Sequence, residues 1–114
     1  MSDKSVEFSL DIARSGKTAI IRCHGKLVAG VDNILYRDVK RLLPECKCVV
    51  LDLTDLIRMD SMGLGALVRL YVAARSAGCS LELVNLSKQV RLLLKTANLL
   101  SAFSTVCEYN IKMG

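Results

Sequence analysis

A short apolar segment near the middle of the chain, residues 47–53, places the strongest limit on the fold. Residues 48–51 within it are apolar without interruption, whereas a strand with one face in water alternates apolar and polar side chains. Amphipathic helical patterns flank the segment at residues 31–43 and 64–77. The sequence therefore predicts a central strand that is enclosed on both faces, by helices on both sides of the sheet or by another cover.

The N-terminal part of the chain predicts a β-hairpin. Residues 6–12 alternate apolar and polar side chains, which is the period of a strand with one wet face. Residues 18–24 have strand character and are expected to pair with the first strand. The turn between the two strands is predicted at Ser15, Gly16 and Lys17.

The C-terminal half predicts a strand, a short helix and a last strand. Gly78 is a typical end for the second helix, and a strand follows at residues 80–85. Ser87 is expected to cap the short helix, and residues 104–109 are predicted as the last strand. The short helix is expected to bury four side chains, those of Val90, Leu93, Leu94 and Ala97.

Strands that alternate with helices after an initial hairpin predict an α/β fold. Its sheet is expected to be mixed, with four to five strands and about three main helices, and its later strands are expected to be parallel with right-handed crossovers. The turns from strand to helix then meet at one edge of the sheet. No repeat or linker divides the sequence, so residues 1–114 are predicted to form a single domain.

Composition narrows the classes of partner. The formal net charge of +5 raises nucleic acid or an anionic surface as partners, but the chain has no tryptophan and only five aromatic residues. Without stacking residues among the cations, we expect no direct nucleic-acid binding and favour a solvated basic face. No apolar run approaches the ~18 residues of a membrane span, and no secretory signal is visible. We therefore expect a cytoplasmic protein without membrane insertion.

The cysteines favour the same compartment. Their number, five, is odd, and four of them lie in or next to apolar segments, where small buried thiols are common. Cys46 and Cys48 form the only close pair, and His24 is the sole histidine, whereas a zinc site needs about four ligands in paired spacing. We expect reduced core cysteines, no bound metal and no cofactor.

Residues 60–65, Asp-Ser-Met-Gly-Leu-Gly, form the joint between the central strand and the second helix. The first N–H groups of a helix have no partner within the helix, so the Ser61 hydroxyl either caps the helix or is presented to another molecule. Asp60 has two equal interpretations, as a carboxylate that the helix dipole favours or as a contact for a partner. From the residues alone both questions stay open.

The joint does not have the residues of an enzyme active site. No histidine or lysine lies within residues 60–65 to activate Ser61 as a nucleophile. Gly63 and Gly65 lack both the third glycine of a dinucleotide-binding turn and the Lys-Ser/Thr pair of a P-loop. The sequence therefore predicts that the protein is not an enzyme.

The joint resembles the signature of the STAS domain family, in particular that of stand-alone bacterial anti-sigma-factor antagonists. That signature is a strand ending in Asp-Leu-Ser/Thr, a short loop, and Asp-Ser-x-Gly-Leu-Gly. Here residues 50–54 match the strand, residues 55–59 the loop and residues 60–65 the last motif. Residues 74–84 and 96–99 are also similar to the family pattern. The resemblance covers nearly the whole chain and implies a STAS-like sandwich.

The resemblance implies a phosphorylation switch. In that family the serine that matches Ser61 is phosphorylated by a partner that is both serine kinase and anti-sigma factor, and phosphorylation ends the complex. It implies a bacterial transcription regulator that sequesters its kinase when unphosphorylated and releases it when phosphorylated, with a serine phosphatase as a further partner. The residues expected at the partner-binding surface are Asp60, Met62, Gly63, Leu64, Gly65 and Lys26.

One departure from the family pattern bears on the identity of the partner. Many antagonists carry Gly-Glu-Leu-Asp where residues 25–28 here are Gly-Lys-Leu-Val, so the charge of that contact surface differs. The alternative function is a non-switching STAS scaffold or adaptor in a multiprotein or membrane transport complex. In that case Ser61 only caps the helix.

Overall fold

The computed structural model describes residues 8–98 and shows an α/β fold with a four-stranded mixed sheet and three α-helices in this part of the chain. The strand order is β1-β2-β3-β4, in which β1 is antiparallel to β2 and the other neighbours are parallel. The predicted class, initial hairpin and number of helices are confirmed. The elements are β1 (Ser9–Ser15), β2 (Thr18–Leu27), α1 (Asp32–Lys40), β3 (Cys48–Met59), α2 (Ser61–Ser76), β4 (Ser80–Val84) and α3 (Lys88–Thr96).

The hairpin forms around a two-residue turn. Gly16 in this turn has a φ of 62°, a left-handed conformation that costs glycine little. β1 runs from Ser9 to Ser15, so the prediction of residues 6–12 ended the strand too early. The pairing of Ser15 with Thr18 continues the ladder to the turn itself. The predicted residues 6 and 7, like the predicted strand 104–109, lie outside the described residues.

β2 and β3 both extend further than we predicted. We expected β2 to end at His24 and a loop at residues 55–59, but the parallel ladder continues until Leu27 lies beside Met59. Two irregularities in the register occur along this stretch, and Gly25 takes a φ of 94° within it. A glycine that permits such a bulge lets the strand continue beyond His24, where we had predicted its end.

α1 is shorter than the predicted range of 31–43. It ends at Lys40, and a 3₁₀ turn, Leu43–Glu45, follows. Pro44 explains the change, because its nitrogen has no hydrogen to donate to the Lys40 carbonyl group. The apolar spacing continues into the turn, so Leu43 is still buried although it lies outside the helix.

The ends of α2 and α3 follow local signals. Gly78 has a φ of 72° just after α2, which confirms the predicted stop. The Ser87 hydroxyl accepts a hydrogen bond from the Val90 N–H at 3.2 Å, which confirms the predicted cap of α3. Ala97 follows that helix and is exposed, so its predicted burial was wrong. Among residues 8–98 no helix is long and apolar enough to cross a membrane.

One face of the sheet carries the core. The buried side chains of the helices and of alternate strand residues form one cluster, which includes Ile21, Leu35, Leu51, Leu67, Leu83 and Leu94. On the opposite face Ile20 is 45% exposed, and its β3 neighbour Val50 is half-buried. The prediction that helices or another cover enclose both faces was therefore wrong for residues 8–98. The apolar run of β3 is thus buried on one face of the sheet, whereas Val50 on the other face is only partly covered.

Candidate functional site

The candidate site lies where β3 passes into α2. β3 ends at Met59, Asp60 is the N-cap residue, and Ser61 is the first residue of the helix. We had placed the start of the helix at residue 64. Ser61 is exposed to solvent, so its side chain is accessible to another molecule.

Asp60, and not Ser61, caps the helix. Its carboxylate accepts hydrogen bonds from the N–H groups of Met62 at 2.9 Å and Gly63 at 3.1 Å. The backbone of Asp60 is extended, which is typical of an N-cap residue. Two of the N–H groups at the helix start are thus already bonded to a carboxylate, and the alternative in which Ser61 serves as the cap is wrong.

The same carboxylate connects the helix start to the loop after β2. Its second oxygen accepts a hydrogen bond from the Ala29 N–H at 3.1 Å. The hydrogen bond from Gly63 is the largest of the effects that hold the pKa of Asp60 below its ordinary value. Ala29, Met62 and the nearby positive charge of Arg58 lower this pKa further, against an opposing effect of desolvation. A negative charge is therefore fixed one residue before Ser61.

Gly63 allows α2 to approach β2 closely. A methyl group at this position would overlap the Leu27 carbonyl oxygen and lie 2.8 Å from side-chain carbons of Leu27 and Met59. That carbonyl oxygen also accepts a hydrogen bond from the Asp60 N–H at 3.3 Å. Leu64, the next residue, is buried in the core. The structure thus gives Gly63 and Leu64 a packing role within this chain, and their predicted partner contacts stay a prediction.

Three other predicted partner-binding residues are more accessible. Met62 is 50% exposed beside Ser61, and a methyl group added at Gly65 would meet no atom within 4 Å. Lys26 is half-buried on β2, where it pairs in register with Arg58 of β3. Met62 therefore exposes apolar surface next to Ser61, whereas Lys26 and Arg58 are neighbours in the sheet at the end of β3.

A polar network in the sheet was not predicted as a unit. The carboxylate of Asp52, a buried residue of β3, accepts hydrogen bonds from Asn85 at 2.9 Å and from the Thr54 N–H at 3.0 Å. Arg22 of β2 lies 3.3 Å from its other oxygen. Burial alone raises the pKa of Asp52, but the hydrogen bonds from Asn85 and Thr54 and the charge of Arg22 outweigh it and lower the pKa.

His24 does not serve the Ser61 site. Its Nε2 lies 2.8 Å from Asp11 of β1, and its Nδ1 lies 3.2 Å from Asp55 of β3. Both ring nitrogens are thus engaged by carboxylates of neighbouring strands.

Residues 9–111 match the sequence pattern of the STAS domain. This match spans most of the chain, and the protein therefore belongs to the STAS domain family. No curated protein matches the chain in sequence.

Solved structures share the fold. The unphosphorylated form of SpoIIAA, an anti-sigma factor antagonist from Bacillus, has a TM-score of 0.70 and 20% identity, and the match covers 82% of each chain. Its phosphorylated form has a TM-score of 0.68 and 18% identity over 85% of this chain and 87% of SpoIIAA. An anti-sigma factor antagonist from Mycobacterium paratuberculosis has a TM-score of 0.76 and 14% identity over 85% of this chain and 83% of its own.

The murine anion transporter Slc26a9 contains a similar unit. Its TM-score is 0.68 at 18% identity, and the match covers 82% of this chain but 16% of the transporter. At such identities the likeness establishes the fold alone. Stand-alone antagonists and a segment of a membrane transporter therefore share the architecture described here.

Proposed function

We propose that the protein is an anti-sigma-factor antagonist whose binding is switched at Ser61. In its unphosphorylated form it sequesters an anti-sigma factor that is also a serine kinase. Phosphorylation of Ser61 releases that partner, and a serine phosphatase restores the binding form. The protein acts as a binding module in the cytoplasm, and the kinase supplies the nucleotide, the metal ion and the catalytic base.

The observation that carries the proposal is the exposed position of Ser61 next to a separate cap. Because Asp60 already binds the N–H groups of Met62 and Gly63, the hydroxyl of Ser61 is not required to hold the helix start. A kinase can therefore modify it without first opening the helix. The fold is expected to survive phosphorylation for the same reason.

The local charge gives phosphorylation a physical effect. A phosphate adds about −1.5 to −2 charges at neutral pH. At Ser61 those charges stand beside the ionised carboxylate of Asp60, whose N–H partners the phosphate cannot also use. In the free protein, water solvates both anions. A partner that binds this surface must remove that water, and the cost in desolvation free energy weakens the complex.

The alternative function, a non-switching scaffold or adaptor, has support of its own. Slc26a9 carries a similar fold as a small part of a membrane transporter. In this alternative the surface around Met62 and Lys26 binds an assembly partner, and the state of Ser61 has no effect on binding.

Phosphate transfer to Ser61 tests the proposed function. The protein is incubated with ATP, Mg²⁺ and an anti-sigma-type serine kinase from the same organism, and the modified residue is located by mass spectrometry of peptides. We expect one phosphate, on Ser61. The Ser61→Ala variant should take none, whereas Ser76→Ala, at the exposed end of the same helix, should be modified like the native protein.

Two outcomes contradict the proposal. If the phosphate is found on another residue, and the Ser61→Ala variant is still phosphorylated there, Ser61 is not the switch residue. An unmodified protein that still binds the kinase tightly would support the scaffold alternative instead.

A further inference from the structure

A groove between α1 and α2, which we name the helix-pair groove, lies away from the Ser61 joint. It has a volume of about 580 Å³ and is lined by Tyr36 and Lys40 of α1 and by Val68, Arg69, Val72 and Ala73 of α2. A second cavity of about 690 Å³ shares Tyr36 and Lys40 and continues along the outer side of α1. Together the two cavities form a trough along the helix pair.

The floor of the helix-pair groove is apolar and exposed. Val72 is 58% exposed in the middle of α2, with Val68 one turn before it. An exposed branched apolar side chain on a helix contributes nothing to the core of this chain, and its burial by a partner is favourable. The side chain of Tyr36 adds an aromatic wall on the opposite side.

Cations are held in fixed positions on this wall. The Arg69 guanidinium lies 4.8 Å from the centre of the Tyr36 ring, and the Lys40 ammonium lies 5.3 Å from it. Arg69 is also fixed by Asp32, whose buried carboxylate is 3.4 Å away. A guanidinium has five N–H donors, so this pair leaves donors for an incoming carboxylate, and its stacking reduces the entropy lost on binding.

The groove has an excess of positive charge. Arg37 and Arg41 flank it and share one carboxylate, Asp38, at 3.9 and 3.6 Å. Among residues 8–98 Lys40 forms no ion pair, and its contact is with the Tyr36 ring. Four cations therefore face two carboxylates in and around the groove, one of which is buried under Arg69.

An elongated apolar floor with cations along its rim matches one class of occupant. Within the described residues no buried side-chain nitrogen or oxygen lacks a hydrogen-bond partner, so the polar contacts that this groove offers come from the exposed cations on its rim. A helix in a groove contributes apolar side chains at intervals of three and four residues and carries charges on its flanks. We propose that the helix-pair groove binds an acidic amphipathic helix of a partner protein.

This surface is separate from the proposed switch. The groove is lined from Val68 onward, about two helical turns beyond Ser61. A partner can therefore occupy it whether or not Ser61 carries a phosphate. The inference does not require the proposed function to be correct.

A synthetic peptide is a direct test. The probe is an amphipathic helix of about 18 residues, with leucines at helical spacing and glutamates on the flanks. The control peptide has the same sequence with lysine in place of every glutamate. Binding to isotope-labelled protein is followed by NMR, and affinity by fluorescence anisotropy. We expect saturable binding of the acidic peptide, with shifted amide signals in α1 and α2, and no binding of the basic peptide.

Variants distinguish binding in the helix-pair groove from a general attraction between a basic protein and an acidic peptide. Lys40→Glu should weaken binding of the acidic peptide by about tenfold, since it replaces an attractive charge with a repulsive one. Val72→Gln should weaken binding by a similar factor through loss of the apolar contact, with unchanged circular dichroism. Lys17→Glu makes the same charge change in the exposed hairpin turn and should leave the affinity within about twofold.

Several results would overturn the inference. These are equal binding of the two peptides, shifts that map outside α1 and α2, or a loss in Lys17→Glu as large as in Lys40→Glu. Vesicles of phosphatidylglycerol are the last arm of the test. If they bind in a Lys40-dependent manner while the peptide does not, the groove recognises an anionic membrane surface and not a protein helix.

Discussion

At the scale of single residues, Asp60 and Gly63 together set the position of Ser61. Asp60 holds the start of α2 and the loop after β2 through three backbone N–H groups. Gly63 lets the first turn of the helix lie against the Leu27 carbonyl oxygen. Ser61 lies between them with an exposed side chain, so a change at either neighbour would move it.

Gly63→Ala and Gly65→Ala should have opposite effects on stability. The methyl group at residue 63 meets backbone and must force a shift, and such overpacking costs about 1–3 kcal/mol. At residue 65 it meets open space, and alanine is favoured over glycine within a helix by up to about 1 kcal/mol. Urea unfolding of both variants measures the difference. A Gly63→Ala protein as stable as Gly65→Ala would show that the close approach is absent in solution.

At the scale of elements, the sequence located each described strand and helix and misplaced their ends. The hydrophobic periodicity and the turn residues were sufficient to predict the hairpin and the end of α2 before Gly78. The extension of β3 to Met59 depends on pairing with β2, which no local pattern contains. Pro44 was sufficient to predict the end of α1, because its missing N–H limits the helix even where the apolar spacing continues.

The candidate site was predicted in part. The residues 60–65 and the exposure of Ser61 follow from the motif and its place after a buried strand. The residues alone left open whether Ser61 caps the helix, because a serine and an aspartate are both good N-caps and only the position of the helix start decides between them. The network of Arg22, Asp52 and Asn85 joins β2, β3 and the residue after β4, which are distant in sequence, so spacing alone could not reveal it.

The charge of Asp52 should contribute stability that depends on pH. Its pKa is lowered in the folded protein, so this contribution is complete above the unfolded pKa of about 3.9 and is lost as the pH falls through the folded value. Asp52→Asn should cost about 1–3 kcal/mol at pH 7, typical of lost hydrogen bonds to a charged group.

Urea unfolding at several pH values between neutral and strongly acidic measures this effect. The difference in free energy of unfolding between native protein and Asp52→Asn should become smaller as the pH falls below about 4. Asp38→Asn, which alters only a surface pair with Arg37 and Arg41, should differ little from native protein throughout. If the difference in free energy of unfolding between Asp52→Asn and native protein is the same at every pH in this range, the ionised carboxylate does not stabilise the fold.

At the scale of the whole molecule, the one-sided arrangement of helices separates structural and binding tasks. The core lies between the sheet and the helices, so the strand-to-helix turn at Ser61 can carry a new charge without disturbing it. Within residues 8–98 the outer surface of α1 and α2 is exposed, and the proposed acidic helix binds there. A phosphate at Ser61 therefore should change what the protein binds and leave its fold intact.

The affinity of the kinase-type anti-sigma partner for the two states of Ser61 tests the central claim most directly. Isothermal titration calorimetry compares unphosphorylated protein, protein phosphorylated at Ser61, and Ser15→Asp, which adds a negative charge at the exposed hairpin turn. Circular dichroism monitors the fold in each case. If the phosphate costs the complex about 3 kcal/mol, affinity falls on the order of 100-fold, while Ser15→Asp binds like native protein. Equal affinities of the phosphorylated and unphosphorylated forms would contradict the switch.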